Sequence, residues 1–387
     1  MRLAFWTPIR IARDPSKDTA ALWQTAGSWA LLIVYVALIP CLTIGCRGPV
    51  PSNRFSAPPP IRVWVSPDGT SLAVCAAGED TGTRLYLAPV GQAETTARKI
   101  PLATILVGDV AWLIGSKGIM FSNMRYGWFP VGRRSVFELL VAGDGADAPE
   151  RLAISRDVPY CDVSVSPSGT WAAVTRPEVA ARQPSSVVQL LHLGSTCRVI
   201  GQWQTARGAY GLGLEWIGPN DRLFFPLWDE WDRNRIAVIH PSGSETFQAD
   251  TIRTAMEVDC VYPSPPGSHI AYQSPSSDGG GGVEQLRLLD VAAGTETVVA
   301  RQTGLRQVAW SPDGNSLAFV ESPSGNLIVH EIGMQSQRVI AHEVSRLADG
   351  SPWTEQHGVV YLRGREVWVA SPDGSSHKRL LIASELP

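Results

Sequence analysis

The stretch Trp310-Ser311-Pro312-Asp313-Gly314, followed by Leu317-Ala318-Phe319, decides the fold of this 387-residue chain. Proline fixes φ at the first turn position, aspartate accepts a hydrogen bond from the backbone two residues on, and glycine tolerates positive φ. The continuous apolar run that follows is typical of a strand covered on both faces. The stretch therefore predicts a tight turn between two buried strands, and its polar residues have a structural role.

The same unit recurs along the chain. Its copies begin at Val65, Trp112, Val165, Trp216, Pro263, Trp310 and Trp353, which gives spacings of 47, 53, 51, 47, 47 and 43 residues. This period is typical of a four-stranded propeller blade. An aliphatic residue two places before each of the first six starts is interpreted as the inward face of a first strand: Val63, Val110, Val163, Leu214, Val261 and Val308. We predict an all-β chain folded as a single seven-bladed β-propeller, with six or eight blades as alternatives.

A glycine-bearing turn later in each unit supports the count of seven. It is predicted to join the third and fourth strands, and its glycines are Gly91, Gly143, Gly194, Gly243, Gly294, Gly333 and Gly374. The stretch Ser371-Pro372-Asp373-Gly374 copies the letters of the first turn, but it falls at this later position. It is therefore not counted as an eighth blade.

These units resemble the WD-like repeat of TolB-type propellers, whose blades open with a Trp-Ser-Pro-Asp-Gly turn and continue with a Leu-Ala-Phe-like strand. The resemblance covers about residues 58–385 and is strongest at Ser66–Gly69, Ser166–Gly169 and Ser311–Gly314. TolB carries an α/β domain before its propeller, whereas a linker stands in that place here. The resemblance therefore implies the propeller and not the role of TolB.

The N-terminal 60 residues differ from the repeats in composition. The uncharged stretch from Ser28 to Gly45 is long enough to enter a bilayer, and the basic residues before it favour a cytoplasmic N-terminus. Thr43-Ile44-Gly45-Cys46 resembles the lipobox of bacterial lipoproteins, which implies lipidation of Cys46. The alternatives are an uncleaved anchor, a cleaved secretory signal and a misplaced start codon.

The expected organisation follows from these segments. Residues 1–46 form a cytoplasmic leader with a signal or anchor segment, residues 47–60 form a proline-rich linker, and residues 61–387 form the propeller. We expect an extracytoplasmic protein, anchored at the periplasmic face of a membrane as a lipoprotein or by a single span.

Two predicted connections between second and third strands contain aromatic and arginine residues, which are typical of recognition surfaces. They lie in the second and fourth blades, and the candidate binding residues are Tyr126, Trp128, Arg133, Arg134, Trp228, Asp229, Trp231 and Arg233. The alternative is that the aromatic rings cap sheet edges and the charges solvate them. The two interpretations stay open at this point.

The residue three places before each start is mostly polar and is predicted to line the central channel. The candidates are Arg62, Asp109, Asp162 and Gln307, interrupted by Gly213 and Cys260. Two carboxylates suit a hard cation, but a polar lining is ordinary for such a channel. The seven histidines show no ligand spacing, so we predict no metal and no cofactor.

The composition narrows the function. The net charge of −3 is spread along the chain, so nucleic acid is not an expected partner. The sequence has no Gly-x-Ser-x-Gly elbow, and no catalytic residue is predicted. We expect a monomeric, non-catalytic scaffold that binds another envelope protein or a peptide or oligosaccharide ligand. The alternative is a propeller enzyme, sugar lyase or hydrolase-like, that acts on oligosaccharide or peptide at one face.

The cysteines outside the N-terminal segment leave two alternatives. Cys75, Cys161, Cys197 and Cys260 are either buried thiols, which we favour, or form one or two disulfides whose pairing the sequence does not fix.

Overall fold

The protein is described by a computed structural model over most of the repeat region. The described ranges are 61–77, 83–90, 97–100, 105–113, 118–129, 132–143, 148–156, 161–178, 185–193, 197–205, 213–227, 233–243, 246–275, 283–303, 306–354 and 358–382. The leader, the apolar stretch, Cys46 and the linker lie outside these residues. Contacts divide the chain into two compact units, residues 1–47 and residues 48–387.

The described part of the chain is all strand, turn and loop, and its sheets form a seven-bladed β-propeller as predicted. Blades 1 to 3 contain β1 (Arg62–Val65), β2 (Ser71–Ala77), β3 (Thr83–Pro89) and β4 (Arg98–Ile100); β5 (Ile105–Trp112), β6 (Gly118–Phe129), β7 (Gly132–Gly143) and β8 (Glu150–Arg156); and β9 (Val163–Val165), β10 (Trp171–Glu178), β11 (Ser185–Leu193) and β12 (Cys197–Thr205). In each blade the strands pair in chain order with antiparallel neighbours. Within these ranges no helix is long and apolar enough to cross a membrane.

Blades 4 to 6 repeat the same arrangement, and blade 7 divides its innermost strand. The strands are β13 (Glu215–Ile217), β14 (Arg222–Pro226), β15 (Arg235–Gly243) and β16 (Thr246–Arg253); β17 (Cys260–Pro263), β18 (His269–Pro275), β19 (Val283–Asp290) and β20 (Thr295–Thr303); β21 (Arg306–Trp310), β22 (Ser316–Glu321), β23 (Asn326–Glu331) and β24 (Ser336–Ala341); and β25 (Arg346–Leu347), β26 (Asp349–Gly350), β27 (Trp353–Thr354), β28 (Gly358–Arg363), β29 (Glu366–Ala370) and β30 (His377–Ile382).

Seven buried clusters lie between the blades, one for each pair of neighbours around the ring. The cluster of blades 1 and 2, for example, packs Trp64 and Ala73 against Val110 and Phe121. The other clusters join blades 2 and 3, 3 and 4, 4 and 5, 5 and 6, 6 and 7, and 7 and 1 in the same way. All seven clusters of the described residues are drawn from residues 61–381, so the propeller has core residues at every junction between blades.

Each inner strand divides its residues between the two neighbouring blades. The aliphatic residue two places before the start packs against the preceding blade: Val63 against blade 7, Val110 against blade 1 and Val163 against blade 2. The interpretation of these residues as an inward face is therefore corrected, because successive strand residues point to opposite sheet faces and both faces are covered by blades. The middle residue of the next strand faces the following blade and is a buried alanine in blades 1, 3, 5 and 6.

The first turn has the predicted hydrogen bonds. In blade 1 the Asp68 carboxylate accepts from the Thr70 amide at 3.0 Å, the Ser66 hydroxyl accepts from the Ser71 amide at 2.9 Å, and Gly69 has φ of +70°. Blade 6 repeats this set at Ser311, Asp313 and Gly314. We call the side of the ring that carries these strand 1–2 turns the turn face.

The off-phase copy, Ser371 to Gly374, lies between β29 and β30 and makes the same bonds. The decision not to count an eighth blade is confirmed. The described later glycines also lie at the ends or turns of the third and fourth strands, while Gly91 and Gly194 fall outside the described residues.

The ring closes between blades 7 and 1 without exchanging an outer strand among the described residues. Instead, β26 leaves the inner position of its own blade and pairs in parallel with β1, setting Trp64 opposite Asp349 and Val65 opposite Gly350. Val360, Leu362 and Val369 of blade 7 pack beneath this pairing against blade 1. The described residues thus close the ring through two backbone-paired positions and one apolar cluster, to which the Arg62 side chain adds a hydrogen bond to Asp349.

Candidate functional site

The inner strands begin on the side of the ring opposite the turns, which we call the mouth face. Here the carboxylate of Asp349 accepts hydrogen bonds from three side chains of three blades: Arg62, Gln307 and Arg346. The Arg346 Nη2 atom lies 2.8 and 2.6 Å from the two carboxylate oxygens, and Arg62 Nε lies 3.4 Å from Oδ2. Asp349 is only 15% exposed, so it joins blades 1, 6 and 7 in a partly buried network.

Arg62 extends this network to blade 2. Its guanidinium pairs with Asp109 and lies 4.6 Å from the centre of the Trp64 ring. Burial acts to lower the pKa of Arg62, but the carboxylates of Asp109 and Asp349 raise it above its usual value. Arg62 therefore stays charged and fixes two carboxylates at once.

Asp162 has a separate environment in blade 3. Its Oδ2 atom accepts a hydrogen bond from the Thr175 hydroxyl at 3.1 Å, and its amide donates to the same hydroxyl at 2.9 Å. No group of three or more metal-ligating side chains occurs in the part of the chain that the structure describes. Of the four predicted channel residues, the structure brings together Arg62, Asp109 and Gln307, and it ties Asp162 to its own blade.

Sequence reasoning missed two residues of the mouth, Asp349 and Glu215. Burial, together with the charge of Asp109, raises the pKa of Glu215 to about 8. Glu215 lies one place before the start of its unit, where the other units among the first six carry the uncharged residues Trp64, Ala111, Ser164, Tyr262 and Ala309. A carboxyl group at a position that is otherwise uncharged in these units is the signal that identifies it.

The cysteines of the described region are free thiols, in agreement with the favoured interpretation. Cys75 lies opposite Arg62 in the β1–β2 register, and burial raises its pKa to about 12 although Arg62 acts to lower it. Burial also raises the pKa of Cys161, with the charges of Asp162 and Asp109 adding to the shift. Both thiols are protonated at neutral pH, a state unsuited to a nucleophile.

The candidate rim of blade 2 is a long hairpin. Strands β6 and β7 each have 12 residues, but the last pair that joins β6 to β5 is Met124 with Ile105, and β7 meets β8 only from Val136 onward. Beyond these points residues 125–129 and 132–135 pair only with each other among the described strands. We call this two-stranded extension the ribbon. Its backbone register places Trp128 opposite Arg133, Arg134 opposite Gly127 and Tyr126 opposite Ser135.

The candidate rim of blade 4 is described only at its end. Trp228, Asp229 and Trp231 lie outside the described residues. The Arg233 guanidinium lies 3.5 Å from the Glu257 carboxylate. The backbone carbonyl of Arg233 accepts a hydrogen bond from the Val258 amide. Arg233 thereby links blade 4 to the connection that leads into blade 5.

No protein-family profile and no curated protein matches the chain. Among solved structures, Hsv2 from Kluyveromyces lactis is 15% identical with a TM-score of 0.51, over 83% of this chain and 98% of that one. Prolyl oligopeptidase B from Galerina marginata is 11% identical with a TM-score of 0.52, over 80% of this chain and 46% of that one. The tricorn protease is 14% identical with a TM-score of 0.51, over 74% of this chain and 31% of that one.

These similarities concern the fold alone. The chain spans less than half the length of the prolyl oligopeptidase and of the tricorn protease. Its class is a seven-bladed β-propeller, a fold that supports unrelated functions. The TolB-type assignment stays a prediction.

Proposed function

We propose that the protein is a non-catalytic propeller, tethered to a membrane outside the cytoplasm, that binds an envelope protein or a peptide or oligosaccharide ligand through its mouth face. The observation that carries this proposal is the pairing of the mouth charges with one another. Arg62, Gln307 and Arg346 all donate to Asp349. These hydrogen bonds connect blades 1, 6 and 7 and limit the movement of the mouth face.

A braced face suits binding, because a rigid surface loses little conformational entropy when a partner docks. The connections that surround it differ from blade to blade. Blade 2 extends into the ribbon, whereas β22 and β23 of blade 6 have six residues each and are joined by residues 322–325. Variable connections on a rigid scaffold are where propellers and other folds place recognition.

The tether is tested separately, by mass spectrometry of the mature protein. An acylated Cys46 at the N-terminus supports the lipid anchor. An intact Met1 with the protein in the membrane fraction supports the uncleaved span. A soluble protein cleaved after the apolar stretch contradicts the tether.

Partner binding is tested by affinity capture from native membranes with the full-length protein as bait. We expect the double variant Trp228→Ser and Trp231→Ser to lose at least tenfold of its specific partner, measured by quantitative mass spectrometry. The control is Met334→Ser, which removes a side chain 72% exposed in the strand 3–4 turn of blade 6. Equal loss in both variants contradicts recognition by the blade 4 rim.

One observation favours the enzyme alternative. Glu215, with its pKa raised to about 8, is protonated at neutral pH, as a general acid requires. Incubating the purified protein with peptide and oligosaccharide mixtures decides the matter. A cleaved product that disappears in Glu215→Gln overturns the non-catalytic proposal.

A further inference from the structure

We propose that the ribbon of blade 2 binds an anionic lipid surface, so that the mouth face is turned toward the membrane to which the chain is tethered. The inference deepens the proposed function, because it rests on the tether. It assigns the ribbon to lipid and leaves the blade 4 rim to the partner.

The first step is the place where the chain enters the propeller. The first described residue, Ile61, is buried, and Arg62 at the start of β1 belongs to the network of the channel mouth. From there β1 runs toward the turn at Ser66 to Gly69. The described chain therefore enters the ring on its mouth face.

The second step is the direction of the ribbon. Asp109 is level with Arg62, because their side chains are paired across blades 1 and 2. Strand β6 starts at Gly118 on the turn side, passes the level of Asp109 and continues to Phe129. At a strand rise of about 3.3 Å per residue, the ribbon extends roughly 20 Å beyond the mouth. The ribbon therefore extends from the same side of the ring as the one on which Ile61 and Arg62 lie.

The third step is charge. From Met124 to Val136 the sequence contains three arginines and no acidic residue, together with Tyr126, Trp128 and Phe129. Arginine beside tyrosine and tryptophan is typical of the membrane–water interface, where the cations meet anionic headgroups and the rings lie at their level. The corresponding connection of blade 4 carries Asp229, Glu230 and Asp232 and has no such complementarity to an anionic surface.

The fourth step is reach. Residues 47–60 are rich in proline, and an extended proline-rich segment spans about 3 Å per residue, or roughly 40 Å in all. This length exceeds the projection of the ribbon. A chain anchored at residue 46 can therefore bring the ribbon to the lipid surface without strain in the linker, and the anchor raises the local concentration of that surface.

The test uses the fragment Gly48 to Pro387, which contains every described sheet and core cluster, so that the anchor does not contribute. Its binding is measured by co-sedimentation with vesicles of phosphatidylcholine alone and of phosphatidylcholine with about 30% phosphatidylglycerol. We expect binding to the anionic vesicles only, weakened by added salt. Each arginine near a charged surface is worth about a fivefold change in partition, so Arg133→Gln with Arg134→Gln is expected to lower it roughly 25-fold.

The control is Arg301→Gln, which removes one exposed arginine from the outer strand of blade 5, half of the charge that the ribbon variant loses. Unchanged partition in this variant, with the loss confined to the ribbon variant, supports the proposal. Circular dichroism and thermal unfolding establish that both variants fold. Trp128→Ser is expected to weaken binding several-fold at constant charge.

Three outcomes overturn the inference. The first is that the wild-type fragment does not bind anionic vesicles. The second is that Arg301→Gln loses as much vesicle binding as the ribbon variant does. The third is that the ribbon variant keeps its vesicle binding but no longer captures a protein partner. The last outcome assigns the ribbon to a protein partner. Failure of the tether is recognised separately, by the mass of the mature N-terminus, and does not alter the vesicle result.

Discussion

The two faces of the ring satisfy their polar groups in opposite ways. On the turn face, Asp68 and Ser66 bond backbone amides two and five residues away. On the mouth face, the Asp349 carboxylate binds Arg62, which is 287 residues distant, and Gln307, which is 42 residues distant. The turn face is thus assembled mainly from local units, with the bond from the Ser168 amide of blade 3 to Asp221 of blade 4 as an exception, whereas the mouth network forms only when the blades have come together.

This difference indicates where the repeat can be changed. A turn whose polar groups bond one another does not depend on the residues of the adjacent blade, so its sequence recurs from blade to blade. A mouth residue depends on a partner from another blade, so each blade has a different residue there. The following predictions test whether the energetic cost of substitution follows the same division.

The largest effect is expected for Asp349→Ala. The substitution leaves Arg62 and Arg346 partly buried without their shared carboxylate, which is expected to lower the free energy of unfolding by about 3 kcal/mol or more. Urea denaturation followed by tryptophan fluorescence measures the change. The comparison is Asp373→Ala in the exposed turn of blade 7, and a similar cost for both substitutions contradicts the division between the faces.

A pH-dependent effect is expected for Glu215→Gln. The folded protein holds a proton on Glu215 up to a pKa of about 8, whereas the unfolded chain releases it near 4.5. The stability contributed by this group is therefore present below pH 4.5 and is lost as pH rises toward 8. The glutamine variant is expected to be more stable than wild type at pH 8.5, by a difference that shrinks to less than about 1 kcal/mol at pH 5. A constant difference in the melting temperature across this range contradicts the raised pKa.

A smaller effect distinguishes two tryptophans that start their units. The Trp310 indole donates to the Tyr262 carbonyl of the preceding blade at 2.8 Å, as Trp216 does to Ser164 at 3.3 Å. The Trp112 indole nitrogen is buried without a partner among the described residues. We expect Trp310→Phe to cost about 1 kcal/mol more than Trp112→Phe. Equal unfolding midpoints rule out a role for this bond between blades.

The smallest effects are expected in the turns. Asp68→Ala, Asp313→Ala and Asp373→Ala each remove one exposed carboxylate that accepts a hydrogen bond from a backbone amide, and each is expected to lower stability less than the preceding substitutions do. The three costs are expected to agree, although Asp373 belongs to a strand 3–4 turn. Calorimetric melting of the three variants measures them, and one outlier among them shows that its turn depends on a neighbouring blade.

The same division explains what the sequence reveals. The Ser-Pro-Asp-Gly turns and the apolar strands are predictable because their bonds are local and their spacing counts the blades. Asp349 was not predictable, because β26 leaves the repeat register to pair with β1. Arg62, Asp109 and Gln307 were identified as channel residues, but their common partner was not. Glu215 was missed because the glycine at 213 displaces the polar position of its blade by two residues.

The pairing of β1 with β26 also means that the first blade cannot finish folding before the last blade has been synthesised. The apolar surface of blade 1 that packs against blade 7 stays exposed during synthesis until about the last 40 residues have been made. A partly synthesised ring therefore has an exposed apolar surface at each of its two ends. A copy truncated before Arg346 is left with two open apolar edges, and we expect it to be degraded or to associate with a second truncated chain.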